Sequence, residues 1–523
     1  MSTPPTPRST SLDDTLIQRP PVTARAKANG AEGVAFPIVG SGGRSSIVTG
    51  KRLFAEAVQV AAPQLADAII DEPDWRHRYP AHLRAQIELM INQPATAVSI
   101  ARRGLDTVYR SFEFCRDGES MPLDLALRAP CEDRLNTVTV AGQGNEAPRL
   151  EVPYRGERLA GSTLVAQLDH WVERGIAEPS FASAIEAVIA NPDWLDLSDW
   201  NIVALGAGAE YSPFATLASW RATLIAVDVP DPGLWRRLID IARRGNGRVR
   251  IPVREGSSAD DPRLPDLAGA SLLTATPQIR HWLVSMPEPM AIGCFAYLDG
   301  EAHVRLSVAM DAIVADLIAL RRNVVPAYLL TPTDCYAVPL RTAEQSITRW
   351  YTRGANRLWQ EPLRWLSRDR LFTPNILRIL DGPEGFRAGI VDGLVVEQGP
   401  NYALAKRLQQ WRALVAHADG LRVSANVAPA ARTQSVVQNR ALKAAYNGAR
   451  LFDVEVFEPE TANALMAALL VHDLRTTGGA AAPDATLAHP LQFFMEGALH
   501  SGLWTLPFLP RSALPVAALL GYL

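Results

Sequence analysis

The sequence predicts an α/β fold in which a doubly wound parallel sheet carries helices on both faces. Three observations predict it. Short apolar runs alternate with helix-like stretches from residue 200 onward. The first run, WNIVAL, ends in a glycine turn, GAGAEYSP. The second, ATLIAV, ends at Asp228, 22 residues after Gly206. Strand–turn–helix alternation joins parallel strands through helical crossovers. A glycine turn followed by an acidic strand end marks such a sheet as Rossmann-like.

The elements follow in order. Residues 1–48 are rich in Pro, Ser, Thr and Gly without apolar periodicity, which predicts a disordered tail. Residues 50–195 predict a mostly helical N-terminal domain, because apolar residues recur there at three- and four-residue spacing. Within it, the alternating runs 136–141 and 149–154 predict a β-hairpin or small sheet. Residues 199–455 predict the Rossmann-like nucleotide-binding domain. Its strands are expected at 200–205, 222–227, 248–253, 291–297, 324–330, 390–396 and 421–427, and its long helices at 304–321 and 402–417. An irregular Arg/Trp-rich insertion is expected at about 340–388. Residues 456–523 predict a helical, aromatic C-terminal extension. The stretch 452–466 is a candidate substrate lid, and 513–523 a packed helix or tail.

Composition excludes several function classes. A net charge of −3 offers no basic field for nucleic acid. The four cysteines form no CxxC pair, so no cysteine metal site is expected, and free thiols suit a reducing compartment. Asp299, Glu301, His303 and Asp311 lie close in sequence, but their spacing fits no mononuclear metal template. His303 is also placed to border a substrate pocket. The polar N-terminus has no apolar signal core, and no run of about 18 apolar residues occurs. A cytoplasmic protein without a transmembrane segment is expected. Its partner is a small molecule, bulky and apolar to judge from the aromatic C-terminal region. A homo-oligomer is left open.

Two places carry chemistry. At the glycine turn, Gly206 permits the sharp bend and Gly208 lets a phosphate approach backbone N–H groups, next to a helix starting near Pro213. Asp228 is placed to accept hydrogen bonds from an adenosine ribose, and its charge favours NAD(H) over NADP(H). At the second place, Tyr402 and Lys406 lie four apart and share a helix face. An ammonium beside a phenol favours the phenolate, so a lowered tyrosine pKa and general acid–base work on a carbonyl or alcohol are expected.

The stretch Tyr402-Ala-Leu-Ala-Lys406, followed by Gly420-Leu-Arg-Val-Ser-Ala-Asn426-Val-Ala-Pro429 and Thr433, resembles the short-chain dehydrogenase/reductase family. The resemblance covers about residues 200–435. It implies an NAD(P)-dependent oxidoreductase. Tyr402 would be the proton donor, Lys406 would orient the cofactor ribose, and Pro429 and Thr433 would border the nicotinamide. The family's TGxxxGxG turn would put glycines where Glu210 and Ser212 stand. No Ser or Thr lies between Thr373 and Tyr402 to serve as the family's serine. Thr331 or Thr333 would supply that hydroxyl if the insertion loops out ahead of Tyr402. Two other functions remain open: an S-adenosylmethionine-dependent methyltransferase, which shares the turn and acidic strand end, and a non-catalytic Rossmann-fold nucleotide-binding module.

Overall fold

The structure is a computed structural model that describes residues 17–18, 26–27, 31–40, 42–131, 133–433 and 440–522. It is an α/β fold around a seven-stranded, mostly parallel sheet. The strands are β1 (Asn136–Ala141), β2 (Asn201–Leu205), β3 (Thr223–Val227), β4 (Arg248–Val253), β5 (Met290–Cys294), β6 (Val324–Leu330) and β7 (Ser424–Val427). Their spatial order is β7-β6-β5-β2-β3-β4-β1. All neighbours are parallel except β1, which runs antiparallel along β4.

Strands β2 and β3 are almost wholly buried, as continuous apolar runs in a doubly covered sheet should be. Alternate residues serve two cores. Val203 and Leu205 pack toward the helices Gly300–Leu320 (α2) and Gly399–Ala418 (α3), with α1 (Pro94–Ser111) stacked behind them. Ile202 and Ala204 pack toward the helices Pro179–Ala190, Pro232–Arg244 and Pro459–Arg475.

Several expectations change. Residues 136–141 do not pair with 149–154. They form the edge strand β1, with Val138 and Val140 buried and their neighbours exposed, the alternation of a half-covered edge. Val152–Tyr154 instead pairs with Glu157–Leu159. The run at 390–396 is not in the parallel sheet. Arg387–Asp392 lies between Cys335–Pro339 and Ile379–Asp381 in a separate antiparallel sheet. The insertion is therefore larger than 340–388 and ordered, with helices Leu340–Tyr351 and Arg357–Leu366. An apolar run looks alike in either sheet, so periodicity could not place it.

The disordered tail expected over 1–48 does not hold from residue 31 on. Gly33–Ala35 is a buried strand beside Glu113–Cys115, and Ser46–Val58 is a helix. Of residues 1–30 only two short strands, Ile17–Gln18 and Ala26–Lys27, fall among the described residues. Nor does 50–195 form a core of its own. Phe54 and Leu105 belong to the same core as Ile313 and Trp411.

A buried ion pair joins three helices. Arg412 on α3 donates to Asp311 on α2 from Nε at 2.7 Å and Nη2 at 2.9 Å, and the Tyr109 hydroxyl of α1 donates to the same carboxylate at 2.7 Å. Arg412→Met strands that carboxylate without its cation. It should cost about 3–5 kcal/mol in chemical denaturation, and adding Asp311→Leu should restore most of the loss. Equal stability of wild type and Arg412→Met would show that the pair holds nothing.

Candidate functional site

The parallel strands end along one edge, and the chain reverses its strand order there between β2 and β5. Gly206 follows β2 at φ +94°, and a Cβ on it would lie 2.4 Å from the backbone of Ala296. Phe295 and Ala296 N–H both donate to the Leu205 carbonyl, at 2.9 and 2.8 Å. The bend at Gly206 is thus forced by two chains meeting at the switch in strand order. Gly208 also packs tightly. A Cβ there would meet the end of the Leu234 side chain, on the helix Pro232–Arg244, at 2.8 Å.

Asp228 fastens this turn. One carboxylate oxygen accepts the Gly208 N–H and the other the Val229 N–H, both at 2.8 Å. Burial raises its pKa and these two N–H groups oppose the rise. Tyr211 crosses from the turn and donates its hydroxyl to the Pro429 carbonyl at 3.2 Å. The helix after the turn, Phe214–Ser219, has only six residues, so its dipole is a minor aid to an anion.

A cleft of about 410 Å³ opens at this edge. Gly208 and Tyr211 line it from one side, and Tyr402, Lys406, Pro429 and Thr433 from the other. Thr331 and Thr333 form its floor at the end of β6. Residues nearly two hundred positions apart therefore face one space. Gly206 and Asp228 stand behind the wall and support the turn.

The Thr331 and Thr333 hydroxyls lie 2.8 Å apart and face the Tyr402 phenol closely enough to lower its pKa. The expected lowering of the Tyr402 pKa does not occur. Burial pushes it up and outweighs the lowering by these hydroxyls and by Gln398. Lys406 donates from Nζ to the Leu329 carbonyl at 3.3 Å and to Gln409 Oε1 at 3.4 Å. Burial brings its own pKa down to about 8.

Residues that sequence reasoning missed hold this arrangement. Arg407 donates to Asp334 Oδ1 at 2.7 Å, and Gln410 Nε2 to Asp334 Oδ2 at 2.9 Å. The Tyr336 hydroxyl donates to the Thr331 carbonyl at 2.8 Å. The available signal was a charged and an amide residue three apart on a helix otherwise buried nearly all round. His303 on α2 stacks against Tyr402 at 5.8 Å between ring centroids. Its Nδ1 accepts the Leu298 N–H at 3.4 Å, which leaves the proton on Nε2. Burial, then Lys406, keeps the ring neutral, and Nε2 has no hydrogen-bond partner among the described residues.

A second cavity, about 630 Å³, begins where the cleft ends, and Tyr402, Thr333 and Tyr446 border both. Its far walls are apolar: Ala449, Phe452, Val454, Leu503, Phe508 and Ala517. The expected lid at 452–466 divides. Its first residues wall this cavity, while the rest forms α4 (Pro459–Arg475), which packs beneath the sheet. The C-terminal helix α5 (Pro510–Tyr522) closes the cavity, tied down by Arg511 on Asp392 at 2.7 and 2.8 Å. His303 borders this space. Asp311 is used by Arg412 and Tyr109, Asp299 accepts the Tyr297 hydroxyl, and no metal-holding group of three or more His, Cys, Asp or Glu occurs among the described residues. No helix among the described residues is long and apolar enough to cross a membrane.

Lys406 makes stability depend on pH. Its folded pKa, about 8, lies below the ordinary 10.5, so between those values the unfolded chain holds the proton more often. Its contribution to stability therefore rises with pH from about 8, by up to about 1.4 kcal/mol per unit. Wild type should gain on Lys406→Met in denaturant titrations between pH 8 and 10; a constant difference would contradict the burial of a charged Lys406. Compared with known proteins, the chain matches no family model, no curated protein and no solved structure.

Proposed function

We propose that the chain is an NAD(P)-dependent oxidoreductase of the short-chain dehydrogenase/reductase type. On this reading its nucleotide domain is Rossmann-like, and it interconverts a bulky apolar carbonyl compound and its alcohol in the cytoplasm. The carrying observation is the position of Tyr402. It stands at the boundary between the cleft beside the glycine turn and the apolar cavity, against two threonine hydroxyls.

The residues divide the work in that reading. A substrate carbonyl in the apolar cavity meets the Tyr402 phenol, which burial keeps protonated and ready to donate. Thr331 or Thr333 holds the same oxygen, filling the family serine's place at a strand end. The neutral His303 Nε2–H is a further donor facing that region without a partner. Reduced nicotinamide supplies a hydride when bound. Lys406 would orient its ribose, with Pro429 and Thr433 beside the ring. The Tyr402 end of the cleft fits this group. At the turn, the acidic residue Glu210 lines the cleft near the place of an anionic diphosphate, so affinity is expected to be modest.

That same carboxylate favours one competing reading. S-adenosylmethionine carries no diphosphate and a positive sulfonium, so a methyltransferase would tolerate Glu210 better. A thermal-shift panel separates the readings: NADH should raise the melting temperature and S-adenosylmethionine should not. Silence toward both would favour a non-catalytic module. Tyr402→Phe should lower turnover by about 10²–10⁴-fold with NADH affinity unchanged, and full turnover would remove the tyrosine from the chemistry. Glu210→Gln should tighten NADH binding, measured by titration; weaker binding would place the diphosphate elsewhere.

A further inference from the structure

The insertion presents an apolar surface on its outer side. The helix Arg357–Leu366 turns Gln360 and Leu363 inward, where Leu363 packs against the cluster around Phe372. Leu358 and Trp365 are seven apart and share the opposite face. They are 80% and 79% exposed, and Leu366 and Tyr351 are exposed beside them. Scattered exposed apolar residues are ordinary, but four on one short segment are not.

The charge around this face is strongly biased. Residues 349–370 hold six arginines against Glu361 and Asp369, a balance of +4 in a chain of −3. Glu361 and Asp369 are already paired with Arg353 and Arg364. Arg357, Arg368 and Arg370 are exposed and make no ion pair among the described residues. The face is also continuous with the apolar cavity. Trp359 meets Phe372 edge-on at 5.0 Å, and Phe372 meets Phe508 at 5.3 Å and Phe452 at 6.3 Å, both of which wall the cavity. Leu451, in the turn Arg450–Phe452, and Leu519 and Tyr522, on the C-terminal helix, are exposed as well.

Tryptophan and leucine ringed by arginine are the side chains that settle at the boundary between lipid headgroups and acyl chains. We infer that this face docks on the surface of an anionic lipid bilayer, with Leu358, Trp365 and Leu366 in the boundary and Arg357, Arg368 and Arg370 on headgroup phosphates. A protein partner or a second copy would have to supply both an apolar socket and an acidic rim. The bilayer has both in its ordinary structure. The inference does not depend on the oxidoreductase reading.

The test is co-sedimentation of the full chain, without nucleotide, with phosphatidylcholine vesicles and with vesicles that also contain phosphatidylserine. Stronger binding to the phosphatidylserine vesicles is expected. Each Arg→Glu change at 357, 368 or 370 should weaken it by about fivefold or more. Trp365→Ser with Leu366→Ser should abolish it at an unchanged melting temperature, since both side chains are exposed. Equal binding to the two vesicle types, or full binding by the serine variant, would overturn the inference. So would a dimer in sedimentation velocity that the serine variant dissociates.

Discussion

Arg407 and Asp334 form an ion pair 2.7 Å apart with side chains only 2% and 1% exposed. Asp334 lies at the start of the insertion, one residue beyond Thr333, and Arg407 lies on the helix that carries Tyr402. The pair therefore joins the two pieces of chain from which the site is made. Gln410 and the Cys335 N–H share the Asp334 carboxylate, and burial raises the Asp334 pKa against the pull of Arg407. A pair this deep adds little net stability, because desolvation offsets the attraction. Its consequence is position: the threonine loop cannot leave the tyrosine helix without exposing an uncompensated charge to apolar surroundings.

The Tyr402 helix is held in the same manner along its length. Arg412 binds Asp311 on one neighbouring helix, and Trp411 fills a space at Gly104 that any Cβ would occupy. Phe54 meets the same indole edge-on at 5.8 Å. The helices from the first quarter of the chain thus act as a brace behind the site helix. A phenol mounted on so rigid an element keeps its distance from the hydroxyls at the end of β6, which is what acid–base work at one oxygen requires.

Around that phenol the surroundings differ on the two sides. The cleft toward the glycine turn holds a lysine, backbone groups and threonine hydroxyls, whereas the cavity beyond is walled by alanine, leucine, valine and phenylalanine from three separate segments. Burial raises the phenol, lowers the lysine and keeps the histidine neutral, so one low-dielectric environment sets all three protonation states. The unsatisfied His303 Nε2 is the kind of buried donor whose cost a bound acceptor would relieve.

The strands β2, β3, β4, β5 and β6 were legible locally, because a strand buried on both faces is a short continuous apolar run between turn residues. Helices α2 and α3 were legible from periodicity, and Tyr402 with Lys406 from their spacing. The sequence by itself also determined that Gly206 must bend the chain and that Asp228 directly follows β3. Tertiary structure alone decided which strand β1 joins, that the run at 390–396 belongs to the insertion, and that Asp334 closes on Arg407 across 73 positions. It also decided that burial, rather than Lys406, governs the Tyr402 phenol. Pairing partners and burial depth depend on contacts between segments far apart in the chain, and no local spacing carries that information.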